Sequence, residues 1–233
     1  MSAAHSAEQL EALRRLDSCT LANAIETFHV RLRNEGFASG AIRCLFPRLP
    51  ATIGHAVTLK IRGASPPVTG AATYVESTDW WDYVLSVPAP RIIVVEDASS
   101  EPGRGALLGE VHVSILRALG CVGAVTNGAV RDVAAVERLG FPLFAAALSV
   151  SHSYVHIVET GGPVEIAGLK VKSGDLLHGD LHGVQSIPDE LVANLPAVAA
   201  QIVTREQSLI ALARAPNFSA ERLRAAVTRR PTA

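Results

Sequence analysis

Two spacings of apolar residues alternate along the middle of the chain. HAVTLKIRG (55–63) alternates apolar and polar positions with a period of two, which predicts a strand with one buried face. RIIVVED (91–97) is short, β-branched and almost continuously apolar, the pattern of a strand buried on both faces. From Gly105 to Gly120 the spacing turns helical: Leu107, Val111, Ile115 and Leu119 share one predicted face, and Gly120 is placed to end the helix. CVGAVTNG (121–128) predicts another buried strand, RDVAAVERLG (131–140) a helix, and PLFAAAL (142–148) a further strand. Strand and helix alternating over short links predict an α/β layer architecture.

The flanks differ. Leu10 to Leu16 predicts a short amphipathic helix, and a second opens at Asp17–Ser18, with Ser18 as N-cap and Leu21, Ile25 and Phe28 on its apolar face. A loop rich in Arg, Gly and Pro runs from Arg31 to about Pro50. Residues 77–86 predict a helix capped by Ser77 or Thr78, in which Trp80, Trp81 and Asp82 anchor the core or an interface, or line a pocket. After Val150, Gly-punctuated short strands predict an antiparallel β section. Its Gly-Asp pairs at 174–175 and 179–180 read as turns, so His178-Gly179-Asp180-Leu181-His182 is read as structural rather than metal-binding. From Asp189 the chain is predicted helical, with breaks at Pro196 and Pro216. Without an internal repeat or linker, residues 1–233 form one predicted domain: a core of about 51–188, a helical N-terminal segment 7–30 and a helical C-terminal tail 189–230.

Composition narrows the function. Hydrophobic residues make up 48% and charged residues 18%, a balance that points to buried subunit contacts. A net charge of −1 gives no electrostatic case for nucleic acid or an anionic membrane. Neither a run of 18 apolar residues nor a secretory signal pattern is found, and Cys19, Cys44 and Cys121 are too scattered for a disulfide frame or zinc site, so a reducing cytoplasm is expected. The three lysines, Lys60, Lys170 and Lys172, fall on the polar sides of strands, which leaves poor candidates for a Schiff base.

One constellation carries chemistry. Gly109 and Glu110 lie near a helix start, where unpaired backbone N–H groups suit a carboxylate or phosphate. Downstream, the 121–128 strand leads through Gly128 to Arg131 and Asp132 at the start of the next helix. Both segments fall on the edge where α/β sheets gather ligands. Arg131 offers a planar fork for a carboxylate or enolate, and Asp132 offers hard oxygens for Mg²⁺ or Mn²⁺. Spacing alone leaves a simple helix-start ion pair open as the alternative. In Ser151-His152-Ser153-Tyr154-Val155-His156, His152 and His156 stand four apart. They either share a helical face as ligands or acid/base groups, or shape a specificity pocket in a loop. Glu159 is a candidate carboxylate across a subunit boundary.

The run GEVHVSILRALGCVGAVTNGAVRD, then LGFPLFA, then PVEIAGLKVKSGDLLHGDLHGVQSIP, resembles the RraA-like family in order and spacing over about Ala51 to Pro188. That family includes regulators of ribonuclease E activity and class II 4-hydroxy-4-methyl-2-oxoglutarate aldolases. The resemblance implies an αββαβ-type fold with a β-rich C-terminal section, assembled as a homotrimer or dimer of trimers with sites between subunits. It implies that Asp132 ligates a divalent metal, Mg²⁺ or Mn²⁺. Arg131 would bind a small 2-oxo acid and steady its pyruvate enolate, and the backbone around Gly109, Glu110, Val111 and His112 would hold the substrate carboxylate. The implied activity is that of a metal-dependent lyase, aldolase or oxaloacetate decarboxylase. The alternatives are a non-catalytic inhibitor of a ribonuclease assembly and a lyase or hydratase acting on another hydroxy acid. A methyltransferase finds no support, because no Gly-rich nucleotide loop is followed by a ribose-binding acid. One departure stands out: active aldolases of the family carry an acid three positions after the metal Asp, and here that position is Ala135.

Overall fold

The computed structural model describes residues 5–67 and 78–228. The elements, in chain order, are α1 (Ala7–Arg14), α2 (Ser18–Glu26), β1 (Arg43–Cys44), β2 (Thr52–Arg62), α3 (Asp79–Ser86), β3 (Arg91–Asp97) and β4 (Ala106–Leu108). There follow α4 (Glu110–Ala118), β5 (Cys121–Val130), α5 (Val133–Arg138), β6 (Leu143–Leu148), β7 (His156–Thr160), β8 (Val164–Ile166) and β9 (Leu169–Val171). The chain closes with β10 (Leu176–Asp180), β11 (Gly183–Ile187), a 3-10 turn (Asp189–Leu191), α6 (Leu195–Arg214) and α7 (Ala220–Thr228).

One mixed sheet of nine strands takes the order β1-β6-β5-β3-β2-β10-β11, with β4 added to β5 and β7 to β2. The predicted α/β alternation is its parallel centre: β2, β3, β5 and β6 pair parallel, linked by α3, α4 and α5. The later half of the predicted antiparallel section joins the same sheet, since β10 pairs antiparallel with both β2 and β11, while β8 and β9 form a separate two-stranded sheet.

Alternation along the strands divides the core between the two faces of the sheet. Val57, Leu59, Ile61, Ile93 and Val95 pack with Trp80, Val84, Val113, Leu116 and Val136 of α3, α4 and α5. Their neighbours Ala56, Ile92 and Val94 pack on the other face under the β8–β9 hairpin. A third cluster seats α1, α2 and α6 on Ile53, Leu176 and Ile187. Each fully buried side chain of this size contributes roughly 1.5–3 kcal/mol, so burial rather than helix propensity holds the short α3–α5 in place.

Several local expectations are corrected. Residues 106–108 are strand, not helix, because Ala106 and Leu108 complete a parallel pairing with Ala129 and Val130. The buried face of α4 is consequently Val113 and Leu116, while Val111 of the predicted stripe is exposed. Gly120 does end the helix in the left-handed region, at φ +79°. Asp17, not Ser18, caps α2, accepting the Thr20 N–H at 2.8 Å. Ser18 is drawn inward instead: its N–H donates to Asp180, its hydroxyl meets His178 Nδ1, and its carbonyl accepts from Gln185. Burial pushes the His178 ring down to about 4, against the pull of Asp180. Thr78 flanks α3 without a side-chain cap, and Ser77 lies outside the described residues. Pro196 sits in the first turn of α6, where its missing N–H costs nothing, so it begins that helix rather than breaking one. Gly174–Asp175 is a turn as read, with Asp175 accepting from Lys172 N–H at 2.8 Å, whereas Gly179 and Asp180 are the last residues of β10, and Asp180 accepts the His182 N–H of the turn that follows at 2.8 Å. Among the described residues, no helix is long and apolar enough to cross a membrane.

Candidate functional site

Three parallel strands, β4, β5 and β6, release the chain at one edge of the sheet, and the site is built where they end. From β4 the chain passes through Gly109 into the first turn of α4. From β5 it passes through Arg131 and Asp132 into α5. The Arg131 N–H donates to the Leu108 carbonyl at 2.9 Å, which locks the two exits together. Asp132 then adopts φ +55°, a left-handed conformation that Asp tolerates better than most residues. This turn swings its carboxylate back over α4, where Oδ2 accepts the Glu110 N–H at 3.1 Å and lies 3.4 Å from Arg131 Nε.

Sequence spacing therefore brought Gly109, Glu110, Arg131 and Asp132 together correctly, and the structure adds why residue 109 is Gly. A Cβ there would lie 2.6 Å from Asp132 Oδ2 and 2.9 Å from Arg131 Cγ, closer than either atom permits. The first amide of α4, that of Glu110, serves the protein's own carboxylate, and the Val111 N–H follows it in the first turn.

Arg131 and Asp132 stand between two clefts. One, of about 280 Å³, is lined by Leu107, Gly109, Val111, His112 and His152 as well as the pair itself. The other, of about 380 Å³, has Val130, Val133, Leu148, Ser149 and Val150 on its walls. The wall formed by Leu148 to Val150 was missed from sequence, although the end of a parallel strand is where it belongs. Val111 (69% exposed), Leu148 (63%) and Val150 (99%) form an apolar rim around both clefts.

The two candidate histidines part company. No helix spans them. His152 sits in the loop before β7 and lines the smaller cleft, whereas His156 begins β7, is buried, and turns Nδ1 to the Tyr154 carbonyl at 2.8 Å. Half-buried His112 packs 6.4 Å from the Trp80 ring. Burial, with His152 nearby, lowers its pKa, so it stays neutral at neutral pH. Trp80 is thus a core anchor that also backs the cleft. Glu159 pairs with Lys60 of its own chain at 2.9 Å, and this contact raises the Lys60 pKa, which keeps the amine charged and unsuited to Schiff-base chemistry. Burial pushes the Cys121 thiol up to about 12, which removes it as a nucleophile.

Among the described residues, Asp132 is the one acidic side chain lining either cleft. Among the described residues no three His, Cys, Asp or Glu side chains converge. A hard divalent cation that keeps most of its water fits this donor set: one half-exposed carboxylate serves it, with water and substrate oxygens completing the shell. A dehydrated transition-metal site does not fit. Ala135 follows on α5, its N–H bonded to the Asp132 carbonyl, and adds no second carboxylate.

A mixed sheet with an Arg–Asp pair and a helix N-terminus at the ends of its parallel strands defines an α/β protein with a candidate ligand site. The chain belongs to the RraA-like family, Aldolase/RraA, whose model matches residues 18–185. It is similar to a protein of Halalkalibacterium halodurans provisionally named 4-hydroxy-4-methyl-2-oxoglutarate aldolase, with 33% identity over 101 residues. That match covers 43% of this chain and 48% of the relative, so the chain spans about half of that relative's length. An uncharacterized protein of Methanocaldococcus jannaschii is 26% identical over 67% of this chain and 70% of its own. Among solved structures, a protein from Pseudomonas syringae pv. tomato shares the fold with TM-score 0.74 and 21% identity, covering 97% of this chain and 96% of its own. An unusual member of the ribonuclease ES inhibitor RraA family from Streptomyces coelicolor matches with TM-score 0.69 and 22% identity, over 88% and 96% of the two chains.

Proposed function

We propose that the protein is a divalent-metal-dependent lyase that cleaves or decarboxylates a small 2-oxo dicarboxylic acid through pyruvate enolate. The observation that carries this reading is the convergence of Arg131, Asp132 and the first turn of α4 on one cleft. Arg131 places a fixed positive fork beside the cleft, where it binds the 2-oxo acid and offsets negative charge that grows on the enolate oxygen. The Val111 amide, in the first turn of α4, holds the substrate carboxylate at the positive end of that helix. Asp132 would hold Mg²⁺ or Mn²⁺, which when bound polarises the 2-oxo group. The provisional name of the Halalkalibacterium relative supports the same reaction class.

The exposed apolar rim supports closure of the site by another copy of the chain, in a trimer or dimer of trimers. Apart from such a lid, the clefts lie open, and bulk water would weaken the hold of Arg131 on the charge that develops on the enolate.

Ala135 favours a second reading, in which the protein is a non-catalytic inhibitor that binds a ribonuclease assembly. One experiment separates them. Purified protein with Mg²⁺ or Mn²⁺ is screened for pyruvate release from oxaloacetate and from 4-hydroxy-4-methyl-2-oxoglutarate, with and without EDTA. The lyase reading expects release that EDTA stops. Absence of pyruvate from every acid, together with a ribonuclease complex that survives Asp132→Ala, would establish the inhibitor instead.

A further inference from the structure

The His152 loop is held in place far more tightly than an exposed surface loop needs to be. Ala106 N–H donates to the Ser151 carbonyl at 3.0 Å, which ties the loop to β4. The Ser149 hydroxyl donates to the Ser151 carbonyl at 3.0 Å, and Ser153 N–H donates to the Ser151 hydroxyl at 2.9 Å. Ser153 takes φ +49°, an uncommon conformation for a residue with a side chain. At Gly105 a Cβ would collide with the His152 carbonyl, so the backbone of 105 is cut away to admit the loop. These constraints place His152 on the wall of the cleft that also holds Arg131 and Asp132.

The ring itself is oriented. Its Nδ1 lies 3.1 Å from the Ser153 carbonyl. A carbonyl only accepts, so in the neutral ring Nδ1 carries the proton and Nε2 carries the free electron pair. His112, the other imidazole on this wall, is half-buried against Trp80, whereas His152 is exposed to the cleft. Asp132 already takes two contacts on Oδ2.

We propose that His152 Nε2 is the base that accepts the 4-hydroxyl proton when the enzyme cleaves a 4-hydroxy-2-oxo acid; the inference rests on the lyase reading above. In that step the O–H bond breaks and its proton passes to Nε2, while the oxygen's electrons form the new C4 carbonyl. The C3–C4 bond breaks, and its electron pair enters the 2-oxo fragment as the enolate. Solvent water then protonates the enolate carbon, and His152 returns its proton to solvent. Oxaloacetate has no hydroxyl proton to lose: its C–C bond pair enters the same enolate as CO₂ departs. The base therefore serves the aldol cleavage and not the decarboxylation.

That asymmetry supplies the test. His152→Ala and His152→Gln are assayed with Mg²⁺ on 4-hydroxy-4-methyl-2-oxoglutarate and on oxaloacetate, and the ratio of the two kcat values is compared with wild type. Positioned acid–base groups are worth about 10²–10⁴-fold, so the aldol-to-decarboxylase ratio is expected to fall at least about a hundredfold in both variants. Added imidazole is expected to restore aldol cleavage in His152→Ala, which recovery of a purely structural role would not do. Oxaloacetate turnover shows in the same sample that the variant is folded. An unchanged ratio, or equal loss of both reactions without imidazole rescue, overturns the assignment of His152 while leaving the lyase reading intact. A wild-type protein inactive on both acids overturns the lyase reading and the assignment with it.

Discussion

Asp132 holds its carboxylate over α4 only because its backbone turns left-handed and because residue 109 lacks a side chain. Gly109→Ala should therefore push the Arg131–Asp132 pair apart without unfolding the chain. Metal-dependent turnover is expected to fall at least about tenfold with the far-ultraviolet spectrum unchanged, and wild-type turnover in this variant would show that the close approach has no functional weight. The identities of these residues were legible in sequence because Gly, Arg and Asp at strand ends are chemically specific. Their geometry was not, since no spacing reveals that the Asp132 carboxylate turns back onto the Glu110 amide. His178 shows the same limit. Its structural role was legible, but not its burial or its contact with the Ser18 hydroxyl. Its folded-state pKa of about 4 lies below the ordinary 6.5, so the unfolded chain binds the extra proton between those values. Stability is fully present above pH 6.5 and is lost as pH falls through about 4, by on the order of 3 kcal/mol if the burial persists. Urea titrations should show this loss in wild type and a clearly smaller one in His178→Gln; equal losses would remove His178 as the cause.

β2 was legible as a strand from its alternation but not as one buried on both faces, where Thr58 is as deeply buried as Val57. β3 reads as apolar on both sides and is buried on both sides. The segment before α4 misled because Leu107 is in phase with the helix by coincidence. Its neighbours Ala106 and Leu108 are claimed by β5, and a tertiary pairing of this kind overrides the local periodicity. The C-terminal helices illustrate the converse. α6 seats only Leu195 and Ala199 fully in the core, and α7 buries no residue. Ending the chain after Ala215 is accordingly expected to leave the melting temperature within about 3 °C of the full-length protein by calorimetry. A drop beyond about 8 °C would mean that α7 packs on something more than α6.

For the whole molecule, the parallel centre was legible from alternation and short links, whereas the joining of β10 and β11 to the same sheet was not, because antiparallel pairing across 120 residues leaves no local trace. Assembly belongs to this scale as well. If another copy covers the rim, light scattering should give a multiple of the 24.5 kDa chain mass set by a trimer or a dimer of trimers. Val150→Asp, at a position 99% exposed in the single chain, should then shift that mass to the monomer and depress turnover. A monomeric wild type would contradict closure of the site by a second copy. The central claim, that Asp132 organises a cation and a 2-oxo acid beside Arg131, is tested most directly by pyruvate release from oxaloacetate with Mn²⁺ in wild type and Asp132→Ala. The account expects EDTA-sensitive release in wild type and a loss of at least about a hundredfold in the variant. Full metal-dependent activity in Asp132→Ala would contradict it.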